Sequence, residues 1–157
     1  MAKVIDTHMH SWDLQKARYS WLDGDTSMLA QNYYPSGIEA QLQAANVSAA
    51  VMVQAANNIE DTEFMFECAE QYPWIIGVVG WVDLLDPTLA KNQLEAHLQN
   101  KYFKGIRHLI HDEPDHNWLL QPEVIESLGI LADYGVPFDV VGVKIEHIKA
   151  AIQVAKQ

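Results

Sequence analysis

One cysteine, Cys68, stands in 157 residues, which excludes an internal disulfide framework and makes a reducing compartment the expectation. No apolar run approaches the roughly 18 residues of a bilayer span. The first residues lack the charged, apolar and small-residue layout of a secretory signal, so cytoplasm is the expected location. Basic residues are scarce: ten Lys and Arg stand against 21 Asp and Glu, a formal charge of −11. Such a surface repels nucleic acid and anionic membrane, and neither is an expected partner. No GxGxxG or P-loop string occurs, so no nucleotide cofactor is expected.

What is present is a globular composition, 49% hydrophobic and 20% charged, of a length that suits one domain over residues 1–157. Strand-like and helix-like runs alternate. Strands are expected at 3–10, 48–55, 74–83, 103–110 and 136–143, and the middle ones are apolar on both faces, as in a covered parallel sheet. Helices are expected from Ser36, where Ser36 and Glu39 have capping-box spacing; over 61–72; after Asp86–Pro87; over 122–134; and from Lys144, with Ile145, Ile148 and Ile152 in register. The first connection, residues 11–36, is too long for an ordinary turn, and its aromatics, Trp12, Tyr19, Trp21, Tyr33 and Tyr34, read equally as a lid over the strand-end rim or as a satellite core. Five βα units indicate an all-parallel α/β sheet. Length favours a doubly wound open sheet over a (β/α)₈ barrel, which usually needs about 250 residues.

The chain opens VIDTHMH. Side chains two apart in a strand share a face, so His8, His10 and Asp6 point together at the strand's C-terminal end, where parallel α/β folds build their sites. Two imidazoles there can ligate a divalent metal or polarise a carbonyl. Taken alone, an HxH is more often one packed histidine and one exposed one. Arg107 and His108 must face opposite ways in the fourth strand. A buried arginine aimed at covering helices is costly, so Arg107 is the expected inward residue. Gln54 and Trp81 end the second and third strands on the same rim, where they can hydrogen-bond or stack on a sugar-like ring. His111, Asp112 and Glu113 follow in the loop on the same rim and read as solvated, and His97, His116 and His147 read as structural or solvent-facing. Cys68 reads as packing.

Four strings in order, VIDTHMHSWDL, VMVQAA, IIGVVGWVDLLDP and FKGIRHLIHDEPDHNWL, resemble the amidohydrolase-related family of sugar-lactone hydrolases. The family includes L-fuconolactonase-like, L-rhamnonolactonase-like and 2-pyrone-4,6-dicarboxylate-lactonase-like enzymes. The resemblance covers almost the whole chain and implies a (β/α)₈ TIM barrel, against the length argument. It implies a small-molecule lactone of a sugar acid or related cyclic ester as substrate, opened by water attack on the carbonyl. His8 and His10 fall on the family's HxH, as catalytic residues and as ligands where a zinc-type divalent metal is used. Arg107 falls on the arginine of the family's fourth-strand GxRH string, with His108 beside it, positions that bind the lactone; Gln54 and Trp81, on the same rim, are expected to join them in binding substrate.

Two family strings are missing, the DHxGxP-like one of the sixth strand and the GSDWP-like one of the eighth, whose aspartate resembles a base. The basic residue expected near the end of strand five is also missing. The chain therefore reads as roughly the first five-eighths of a barrel, an incomplete site expected to self-associate or to pair with a missing C-terminal half. Two other readings are a non-catalytic barrel fragment serving as a structural module, and a metal-dependent decarboxylase or hydrolase of the same superfamily.

Overall fold

The computed structural model describes residues 4–156. Strands β1 (Val4–Met9), β2 (Val47–Val53), β3 (Ile75–Gly80), β4 (Phe103–His108) and β5 (Phe138–Val140) form one sheet in the order 1-2-3-4-5. Each pair is parallel. Helices α1 (Glu39–Ala44), α2 (Ile59–Gln71), α3 (Pro87–His97), α4 (Pro122–Asp133) and α5 (Ile145–Val154) alternate with them. A doubly wound sheet reverses its direction of winding near the middle. This sheet never does, and the topology is that of an incomplete (β/α) barrel of five units. None of these helices is long and apolar enough to cross a membrane.

The sheet is strongly curled. Neighbouring strands lie about 4.8 Å apart, so β1 and β4 would stand roughly 14 Å apart in a flat sheet. Yet Arg107 Nη1 in β4 sits 3.0 Å from His8 Nε2 in β1. Apolar packing drives the curl from outside. Met52, Ile75 and Val78 are sealed by Phe64, Met65 and Cys68 of α2, and Ile106 is sealed among Leu94 of α3 and Val124 and Leu131 of α4. Cys68 is packing, its thiol pushed up to about 12 by burial.

The caps follow local chemistry. Asn58 accepts from Asp61 N at 2.9 Å to start α2, and Asp86 accepts from Leu89 N at 3.0 Å before Pro87 to start α3. The Ser36–Glu39 capping box does not form: Pro35–Gly37 is a 3₁₀ turn, and α1 follows it with no side-chain cap. The apolar runs overshoot the strands, most of all at β5, where residues 136–143 yield only three strand residues. The register of α5 also differs from its use. Its buried residues are His147 and Ala150, while Ile145, Ile148 and Ile152 are 60%, 43% and 52% exposed.

One irregularity sets the site. Val78 pairs with Phe103 but Val79 pairs with Gly105, so β4 carries an extra residue at this point. Phe103 and Ile106, three apart, consequently both join the helix-side core. Alternation then puts Arg107 on the inner face and His108 on the outer one. Gly105 allows the close approach of the next connection, since a Cβ there would meet Pro137 O at 3.0 Å.

Candidate active site

His8, His10 and Arg107 meet inside the curl. His10 Nδ1–H donates to Val53 O at 2.8 Å, which fixes the tautomer and leaves a lone pair on Nε2. Arg107 Nη1 donates to His8 Nε2, so that nitrogen is also an acceptor. The two Nε2 atoms nevertheless lie 3.1 Å apart. Two lone pairs face each other there, and moving a proton onto His8 Nε2 would set it against the arginine instead. No neutral tautomer satisfies all three groups.

The His10 imidazole is held below its ordinary pKa, first by burial, then by the Arg107 charge and by His8, with Val53 O and Asp139 pulling the other way. The shift favours the neutral imidazole. Burial also lowers Arg107, against the field of Asp139. Asp139 is the register partner of Arg107 across β4 and β5 and shares its face. The sequence reading passed over it, although a carboxylate inside the apolar run VPFDVV was the available signal.

A cavity of about 280 Å³ opens beside this cluster, bordered by His10, Arg107, Gln54, Trp12, Trp21 and the loop residues His111 and Asp112. The loop pair, expected on this rim as a solvated loop, borders the cavity; His111 Nε2 stands 3.5 Å from Asp112 Oδ1. The first connection reaches the same cavity. Trp12 exchanges both backbone hydrogen bonds with Tyr33, and Tyr19 O–H donates to Asp61 Oδ1 at 2.8 Å, 2% and 0% exposed respectively.

Gln54 borders the cavity with no exposed surface. Its amide donates to Arg107 O at 3.2 Å and Asn57 Oδ1 at 3.3 Å, tying the end of β2 to β4. His108 stands on the outer face, stacked on Trp118 with centroids 3.9 Å apart. Trp81 Nε1–H donates to His108 Nδ1 at 3.0 Å, which leaves His108 Nε2–H to donate to Glu113 Oε1 at 2.7 Å. Trp81 is aimed by Gly80: a Cβ at that glycine would collide with Thr62 Cγ2 at 2.6 Å, and Thr62 Oγ1 accepts from Trp81 N. The structure therefore joins Trp81 to His108 behind the strand end, away from His8, His10 and Arg107. His97, buried against Phe66 and Phe103, donates to Trp81 O and belongs to the same support.

The cluster offers a divalent metal only part of a ligand set. Two nitrogens bound to a tetrahedral zinc lie about 3.3 Å apart, close to the His8–His10 spacing, and the Val53 contact is the usual outer support of a ligating histidine. But a guanidinium already occupies the His8 lone pair, and no group of three or more His, Cys, Asp or Glu among the described residues can hold an ion. These residues do not by themselves fit a metal, and no chemical step is derived through one.

A family model described as Amidohydrolase matches residues 5–155. The chain is 34% identical over 111 residues to an L-fucono-1,5-lactonase of Burkholderia multivorans, covering 71% of this chain and 37% of that protein. It is 26% identical over 153 residues to an L-fucono-1,5-lactonase of Burkholderia ambifaria, covering 98% and 52%. Among solved structures, it resembles an amidohydrolase of Burkholderia multivorans with bound HEPES at TM-score 0.84 and 28% identity, over 99% of this chain and 53% of that one. A crystal structure of a Burkholderia multivorans amidohydrolase with bound zinc gives TM-score 0.76 and 29% identity, over 89% and 49%. The chain thus spans about half the length, or less, of these relatives.

Proposed function

The chain belongs to the amidohydrolase family of hydrolases, and from that premise we propose that its inner cluster opens the ring of a sugar-acid lactone or a related small cyclic ester. The observation that carries this reading is the convergence of the His10 imidazole, its Nδ1 held by Val53 O, and the Arg107 guanidinium on one small cavity. Water approaches the lactone carbonyl, its oxygen bonds to the carbonyl carbon, and His10 Nε2 takes the proton. Arg107 stabilises the oxyanion as it forms. The ring C–O bond then breaks, and His10 returns its proton to the departing ring oxygen. His8 holds the Arg107 fork in place. Gln54 at the cavity's edge, with His108 and Trp81 behind it, fixes the strand ends on which Arg107 sits. The curated lactonases and the length they share with this chain support a lactone substrate.

The test is proton release by the protein from a panel of aldono-1,5- and 1,4-lactones, followed with a pH indicator, with and without chelator. Arg107→Ala and His10→Ala are each expected to lower kcat/KM by about 10² or more. Wild-type rates in both variants would sink the mechanism. Turnover of carboxylated aromatics with release of carbon dioxide, and none of lactones, would favour the decarboxylase reading.

A further inference from the structure

The first connection carries a residue that neither the core nor the catalytic cluster uses. The turn Ser20–Leu22 is a 3₁₀ turn, in which residues three apart lie over one another. Tyr19 and Leu22 form the buried pair, 2% and 8% exposed, packed with Ala17, Ala55 and Ala56. Trp21 is therefore turned off that face. It stays 37% exposed and borders the cavity that holds His10 and Arg107.

Its indole is nonetheless fixed on several sides. Nε1–H donates to Ala55 O at 2.7 Å, one residue beyond Gln54 at the end of β2. Trp12 meets it edge-to-face, with centroids 5.4 Å apart at 80°, and Tyr19 does so at 6.4 Å and 78°. Tyr19 in turn is anchored by the buried carboxylate of Asp61. A large apolar ring held rigid yet left open to a cavity is a preformed contact surface rather than packing. The same cavity is also bordered by polar groups, His10 and Arg107. A ligand that fits both has one apolar C–H face and an edge of oxygen atoms.

Building on the lactone reading above, we propose that Trp21 is a specificity-determining residue: a rigid platform on which the C–H face of a saturated oxygen-containing ring lies while its carbonyl edge meets Arg107. The latch to Ala55 sets the height of the platform, so ring size and the orientation of hydroxyls on the stacked face decide which lactones enter.

The experiment compares wild type, Trp21→Phe and Trp21→Ala on a saturated aldono-1,5-lactone, and measures binding of the corresponding 1,5-lactam, which is not opened, by quenching of tryptophan fluorescence and by calorimetry. Trp21→Ala is expected to raise KM and the lactam Kd about tenfold, with kcat changed far less, while Trp21→Phe keeps a flat ring and stays within about threefold. Thermal unfolding of each variant identifies any loss of fold, and Trp21→Phe carries the test if Trp21→Ala does not fold, because the lactam-induced quench should then shrink at near-native affinity. Unchanged KM and Kd in Trp21→Ala, or an undiminished quench in Trp21→Phe, overturns the proposal. Lactam binding through Trp21 without turnover of any lactone upholds the platform and refutes the hydrolytic reading. Absence of both binding and turnover in wild type overturns both.

Discussion

Asp61 offers the sharpest test of how the site is held. It sits in the first turn of α2 with 0% exposure. One oxygen accepts from Tyr19 O–H, and the other accepts from Ala55 N at 2.7 Å and Ala56 N at 3.2 Å. A single carboxylate thus ties the end of β2 to the connection that carries Trp21. Asp61→Ala leaves two buried amides and a phenol unpaired. At about 1–3 kcal/mol for each orphaned group, less whatever entering water recovers, the cost should be about 3–5 kcal/mol. Asp61→Asn should cost only about 1 kcal/mol. Its carbonyl can accept from both amides, and its amino group can donate to Tyr19, whose hydroxyl turns to accept.

The pH dependence separates the two effects. Burial raises the Asp61 carboxyl from 3.8 to about 6, against the pull of its three hydrogen bonds. The folded state therefore holds a proton that the unfolded state has already lost. Stability from this group is fully present below pH 3.8 and is lost as pH rises through about 6, a total of about 3 kcal/mol. About 1 kcal/mol of that falls between pH 5.5 and 8, a window clear of the sequence pI near 4.8. Urea unfolding of wild type and Asp61→Asn across this window should show the gap between them narrowing as pH rises, because asparagine does not titrate. Parallel profiles would refute the assignment of a protonatable, buried Asp61. A cost for Asp61→Ala no larger than for Asp61→Asn would refute its role as the tie.

The support behind Arg107 is testable in the same way. His108→Ala strands the Trp81 indole N–H and the Glu113 carboxylate and should cost about 2–4 kcal/mol in urea unfolding, whereas Glu113→Gln keeps an acceptor and should cost under about 1 kcal/mol. Zinc added in equimolar amount after chelation should be lost on dialysis and leave the melting temperature unmoved, as measured by elemental analysis and calorimetry; stoichiometric zinc that disappears in His10→Ala would contradict the two-ligand reading. The outward stripe Ile145, Ile148 and Ile152, with Val140 and Val143 42% and 71% exposed beside it, should make the 17.7 kDa chain self-associate in sedimentation velocity at tens of micromolar. Ile148→Glu with Ile152→Glu should return it to monomer, and a wild type that sediments as monomer throughout would refute the stripe as a contact.

The sequence made the βα alternation legible because two-sided apolar strands and Asp86–Pro87 are strong local signals. Its length misled on architecture, since nothing local says in which direction a sheet winds. The α5 stripe shows the limit of periodicity. Ile145, Ile148 and Ile152 have helical spacing, but spacing does not say which side the sheet lies on, and the buried positions belong to His147 and Ala150. Arg107 illustrates the opposite case. Strict alternation counted from the buried Phe103 would have put Arg107 on the helix side. The cost of an unpaired guanidinium there pointed inward, and the extra residue before Gly105 is how the strand meets that demand. An energetic argument outlasted a geometric one because a bulge is a small adjustment and a stranded charge is not. The same reasoning explains why Asp139 was missed beside Arg107, and why Trp12, Trp21 and His111 were in view only as loop residues near the rim. Each comes to the site through a connection or a register pairing, and neither leaves a period in the sequence. For such residues the usable signal is a mismatch, such as an acid inside an apolar run or a tryptophan one place off a buried pair.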